Sequence, residues 1–68
     1  MKLSTRNQIK ATVTSVSQGE AIANVDMDAG GQRLVASITA EAARELGLEE
    51  GREVTALIKA SDVMVAVD

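Results

Sequence analysis

Lys59-Ala60-Ser61 is the place in this chain where side chains and backbone could do chemistry together. Lys59 offers an ammonium as a point charge, Ser61 offers a hydroxyl, and the small side chain of Ala60 leaves the backbone N–H groups open to approach. Those are the needs of a small oxyanion: charge compensation and short hydrogen bonds, which are roughly twice as strong when one partner is ionised. A second set of donors stands near the other end of the sequence, where Ser4-Thr5-Arg6-Asn7 brings two hydroxyls, a guanidinium and an amide. The two segments could be the halves of one anion pocket, closed within a chain or between neighbouring chains. Taken one at a time, they also read as ordinary polar residues at a strand edge and an N-terminus, which is the commoner meaning of such residues.

Other chemistry is poorly supplied. The chain has no His to act as a general base and no Cys to act as a nucleophile, and its Ser, Lys, Asp and Glu residues fall into no catalytic spacing. An enzyme is therefore not expected. Asp26 and Asp28 could ligate a hard cation, but two carboxylates alternating along a strand are more often its polar face. Glu49-Glu50 reads as a solvated turn, and Gly30-Gly31 as a hairpin loop rather than a phosphate cradle.

Composition narrows the remaining classes. Sixty-eight residues fit one small domain, residues 1–68, which buries only about 60% of the surface its unfolded chain exposes. Domains of this size usually add a disulfide, a metal or a partner subunit. Without Cys or His, and without a single Phe, Tyr or Trp, self-association is the staple that remains. The net charge of −3 and the missing aromatic platforms speak against nucleic acid. No apolar run approaches the roughly 20 residues that span a bilayer, and the polar start, Met1-Lys2-Leu3-Ser4, is unlike a secretory leader. A soluble, cytoplasmic protein is the expectation.

The elements that must position the donors can be read in order. Ile9, Ala11 and Val13 alternate as in a half-buried strand, and Val16 breaks the parity, predicting a bulge or bend near Thr14-Ser15. After a turn at Gln18-Gly19, Ala21, Ala23, Val25 and Met27 share one face. Asp28-Ala29-Gly30-Gly31 then turns the chain into a return strand carrying Leu34, Ala36 and Ile38 inward. Thr39 is a plausible N-cap for a helix over Ala40 to Leu46, ended by Gly47 and apolar Leu48 in the manner of a Schellman motif. A helix so short must cap an opening in the sheet through Ala42, Ala43 and Leu46. Val54, Ala56 and Ile58 follow on a fourth strand. Val63, Val65 and Val67 alternate on a fifth, whose intervening Met64 and Ala66 are also apolar, so that both of its faces require cover. Five strands with a short helix between the third and fourth give a mainly β fold of the five-stranded OB-like barrel type.

The residues also carry a resemblance. Ser4-Thr5-Arg6-Asn7 near the start, Ser37-Ile38-Thr39 before a short helix ending Leu46-Gly47-Leu48, then Gly51 and Ala56-Leu57-Ile58-Lys59-Ala60-Ser61-Asp62-Val63, together resemble the Mop or molbindin family of small molybdate-binding proteins. The resemblance runs the length of the chain. It implies a free-standing module that binds and stores molybdate, or tungstate, in the cytoplasm. It also implies a hexamer, a trimer of dimers, with anions held at subunit interfaces and no other cofactor. Carried over residue by residue, Ser4, Arg6 (through its guanidinium or its N–H), Lys59, Ala60 and Ser61 match positions of one class of site. Thr39 at its helix N-terminus is a further candidate, opposed by the negative charge of Glu41. A second class of site, built from main-chain amides, would be sought at Gly19 to Ile22. The alternative is an OB-like interaction module that binds no ligand and recruits a partner through an exposed strand edge.

Overall fold

A computed structural model describes residues 6–68. The elements run β1 (Asn7–Gln18), β2 (Ile22–Ala29), β3 (Gln32–Thr39), α1 (Ala40–Glu45), β4 (Glu53–Ile58) and a 3₁₀ turn over Ala60–Asp62. The four strands form one antiparallel sheet in the order β3-β2-β1-β4.

Strand β1 organises the sheet because it serves two partners. Its first half pairs with β4, from Asn7↔Ile58 to Thr12↔Glu53, and its second half pairs with β2, from Thr12↔Asp28 to Gln18↔Ala23. The register shifts between Val13 and Ser15, so Thr14 is the extra residue and the parity break at Val16 is a bulge. The chain before β4 is tied onto this bend: Gly51 N–H donates to the Val13 carbonyl at 2.8 Å, and Val13 N–H donates to the Arg52 carbonyl at 2.9 Å.

The β2–β3 hairpin closes through Gly30 and Gly31 at φ 61° and 91°. Two successive positive φ values suit the twist of the flanking strands, and glycine adopts them without a Cβ penalty. On the outer face Asp26 accepts from Arg33 Nε and Nη2 at 3.1 and 2.9 Å and from Ser15 Oγ at 3.1 Å, linking three strands across the bulge. On the inner face Ala11, Val13, Val25 and Met27 form the buried core, flanked by half-buried Leu34, Ala36, Ile38, Leu48 and Val54. The alternation read in the sequence is that of the core at Ala11, Val13, Ala23, Val25 and Met27, whereas Ile9 and Ala21, read onto the same faces, are exposed.

Helix α1 is capped as its sequence demands. Thr39 Oγ1 accepts from Ala42 N–H at 3.0 Å. At the other end, Gly47 at φ 64° donates to Arg44 O at 3.1 Å and Leu48 donates to Ala43 O at 3.1 Å, the paired bonds of a Schellman ending. Ala40 and Ala43 are the buried contacts of the helix. Leu46, expected to seal the sheet, is instead its C-cap and largely exposed.

Two expectations are corrected. The sheet has four strands among the described residues, not five, and it does not close into a barrel. Residues 63–68 follow the 3₁₀ turn without joining any strand, and Met64, Val65 and Val67 stand 95%, 87% and 91% exposed. The physical reason lies in their composition: a segment apolar on both faces needs cover on both, and one copy of this chain offers none. The outer edges of β3 and β4 consequently stay apart. Between them lies an apolar groove of about 340 Å³ lined by Leu34, Ala36, Ile38, Leu46, Val54 and Ile58, with core residues at its floor.

Candidate functional site

The pairing of Asn7 with Ile58 brings the two ends of the sequence to one end of the sheet. Arg6 is the residue just before this pair, and Lys59 the residue just after it. Both are exposed. The single ion pair among the described residues joins Arg33 to Asp26, so neither Arg6 nor Lys59 is neutralised by a carboxylate. Ser4 and Thr5 lie outside the described residues.

The segment after β4 is arranged as a set of backbone donors. Lys59 is extended at φ −63° and ψ 139°, and the chain then tightens into the 3₁₀ turn. Asp62 N–H donates to Lys59 O at 2.9 Å and Val63 N–H to Ala60 O at 3.3 Å. A turn of this kind leaves its first N–H groups without intrahelical partners. No described backbone carbonyl outside the sheet ladder accepts from the N–H of Lys59, Ala60 or Ser61. With the Lys59 ammonium and the Ser61 hydroxyl, both exposed, the strip carries donors of the three kinds a tetrahedral oxyanion requires. Asp62, in the same turn, is the one adjacent charge that opposes an anion.

Thr39 is placed elsewhere. It pairs with Ile22, close to where β1 ends at Gln18, whereas Lys59 lies beyond the start of β1 at Asn7. The intervening twelve residues of β1 amount to roughly 35–40 Å of extended strand, less what the bulge removes. Thr39 and Lys59 of one chain therefore serve no common pocket. The Thr39 hydroxyl already accepts the capping bond, and Ala40 N–H is spent on Ala21 O at 2.8 Å. At the main-chain candidate Gly19 to Ile22, Gly19 N–H is likewise occupied, donating to Ile22 O at 2.9 Å. Gln18 Nε2 bridges to Ala40 O at 3.2 Å, joining this turn to the helix start.

Asn7, whose amide the sequence placed among the donors of the first segment, is engaged within the chain. Its Nδ2 donates to Ile58 O at 3.1 Å, spanning 51 positions in sequence. Among the described residues, no group of three or more His, Cys, Asp and Glu side chains could hold a metal ion. No described helix is long and apolar enough to cross a membrane.

The fold is a small antiparallel β module with the exposed Lys59-Ala60-Ser61 strip at one end. In comparison with known proteins, the TOBE domain profile matches residues 3–65. A probable molybdenum-pterin-binding protein of Haemophilus influenzae is 45% identical over 69 aligned residues, covering 100% of both chains. Among solved structures, a molybdate-binding protein from Sporomusa ovata superposes with a TM-score of 0.95 at 42% identity, covering 98% of this chain and 100% of that one. The cytoplasmic molybdate-binding protein ModG, in a form with molybdate bound, superposes with a TM-score of 0.86 at 46% identity, covering 88% of this chain and 43% of that one. The chain belongs to the TOBE-domain family, in its Mop or molbindin branch.

Proposed function

We propose that this chain is an oxyanion-binding module that takes up molybdate, and tungstate in the same manner, and stores it in the cytoplasm. The supporting observation is the exposed strip Lys59-Ala60-Ser61, at the same end of the sheet as Arg6. It carries an ammonium outside any ion pair of the described residues, a hydroxyl, and successive N–H groups from which no described backbone carbonyl outside the ladder accepts. The relatives' names mention both molybdenum-pterin and molybdate, and the chemistry of this chain favours the bare oxyanion. A pterin ring is usually held by stacking, and the chain has no Phe, Tyr or Trp. A tetrahedral dianion has no apolar surface to satisfy and needs only donors and charge. Ser4, Arg6, Lys59, Ala60 and Ser61 are the residues assigned to it. Thr39 belongs to a separate candidate site, because within one chain β1 separates it from Lys59; its hydroxyl accepts the capping bond and keeps its O–H as a donor. The role is binding, not catalysis.

The anion is held between copies of the chain, acting as one domain, 1–68, in a homo-oligomer. Every donor of the strip is exposed in one copy, so one copy alone cannot exclude water from the ion, and burial is what strengthens such bonds. The groove between β3 and β4 and the apolar segment 63–68 are complementary: one lacks a strand and the other lacks cover. The segment of a second copy fills the groove, adding a strand between the free edges. Repetition of this exchange is compatible with the hexamer, a trimer of dimers, that the family resemblance implies.

Titration calorimetry tests the reading. Saturable binding of molybdate and of tungstate, with sulfate as the smaller competitor, is the expected result. No saturable heat with either ion would instead favour a module that recruits a partner through its strand edges.

A further inference from the structure

We infer that Asn7 is a positioning residue for the oxyanion site, holding its backbone donors in place without touching the ion. The inference rests on the site proposed above and deepens it. A peptide unit is planar and trans, so a bond that fixes a carbonyl also fixes the direction of the next residue's N–H, which points the opposite way. Three consecutive peptide units carry the N–H groups of Lys59, Ala60 and Ser61, and each has its carbonyl held. Asp62 N–H holds Lys59 O at 2.9 Å and thereby sets the Ala60 N–H. Val63 N–H holds Ala60 O at 3.3 Å and sets the Ser61 N–H. The first unit, Ile58–Lys59, lies outside the turn, at the end of the ladder where Ile58 pairs with Asn7. In addition to that pairing, its carbonyl accepts from Asn7 Nδ2 at 3.1 Å, and this side-chain bond reinforces the ladder in setting the direction of the Lys59 N–H.

The position of Asn7 suits the task. It is the first residue of β1, half-buried, and paired with Ile58 across the ladder. Arg6 precedes it directly, so the same side chain that orients the Lys59 peptide also anchors the strand carrying the Arg6 donors. Asn7 supplies no charge to the anion. It reduces the reorganisation that binding would otherwise require.

The test compares Asn7→Ala, Asn7→Asp and Asn7→Ser with the parent protein, using molybdate calorimetry, thermal melts without anion, and amide NMR shifts of residues 59–61. Asn7→Asp keeps the size and replaces the donor with an acceptor. Asn7→Ser retains a donor. The expected result is affinity roughly tenfold weaker for Asn7→Ala and weaker still for Asn7→Asp, with partial recovery in Asn7→Ser. The Lys59 amide should shift more than those of Ala60 and Ser61, and the anion-free melting temperature should not follow the affinity series. Affinity equal to the parent's, or a loss that merely tracks the anion-free melting temperature across the three variants, would overturn the role of Asn7. Failure of the parent to bind molybdate would instead remove the site itself, and this inference with it.

Discussion

Substituting Val65→Asp is the sharpest perturbation of the proposed assembly, because the side chain contributes almost nothing to the isolated subunit. Val65 is 87% exposed in one copy, so a monomer should tolerate the change. In an assembly where segment 63–68 lies in the β3–β4 groove of a neighbour, the same side chain is buried. Losing one buried Val forfeits about 1.5 kcal/mol at the low end, and placing a carboxylate in an apolar groove adds at least about 2 kcal/mol of desolvation. Reciprocal exchange counts this twice per pair, giving about 7 kcal/mol, or a dissociation constant raised by roughly five powers of ten. Sedimentation velocity at micromolar protein should show the parent as an oligomer and Val65→Asp as a dissociated species. Molybdate affinity should fall together with the mass, since the site is shared between copies. An undiminished oligomer in Val65→Asp would refute the groove-and-segment account.

Further outcomes follow from named contacts. Lys59→Ala and Ser61→Ala should each weaken molybdate binding without unfolding the subunit. The loss should be about 1.5–3 kcal/mol for the charged donor, or roughly tenfold to a hundredfold, and smaller for the hydroxyl, as measured by calorimetry. Val13→Ala, at a core position only 1% exposed, should cost about 2 kcal/mol and lower the melting temperature by roughly 8–16 °C, provided that m-values and oligomeric state are unchanged. Gly47→Ala, at φ 64°, should cost about 1–2 kcal/mol by chemical denaturation. Excess molybdate at about 100 times its dissociation constant should stabilise each site by about 2.7 kcal/mol, seen as a rise in melting temperature that sulfate reproduces only at higher concentration.

What the sequence displayed most plainly was its local structure. Gly30-Gly31, Thr39 and Gly47 act within a few residues of themselves, and each does in the structure what its chemistry demands. The break in parity between Val13 and Val16 marked the bulge because a strand's side chains alternate strictly and any departure shows. The alternation of Val63, Val65 and Val67 was equally visible, but it stated a need for cover rather than its source. The cover is absent from the single chain, so the expected fifth strand and closed barrel do not form there. The same division holds at the site. Lys59 and Ser61 stood out as candidates by type and spacing, and the pairing of Asn7 with Ile58 places Arg6 at the same end of the sheet as Lys59. Thr39 had the right chemistry for a cap and for an anion, and only the topology shows that β1 separates it from Lys59. Asn7 was a polar residue among others until the fold set its amide on a carbonyl 51 positions away.

Locating the anion directly is the decisive measurement: diffraction from crystals grown with molybdate, with anomalous data collected at the molybdenum edge. The account predicts a strong peak beside Lys59, Ala60 and Ser61, ringed by donors from more than one copy of the chain. Peaks confined to outer surfaces, or none at all from a protein that remains a monomer, would contradict it.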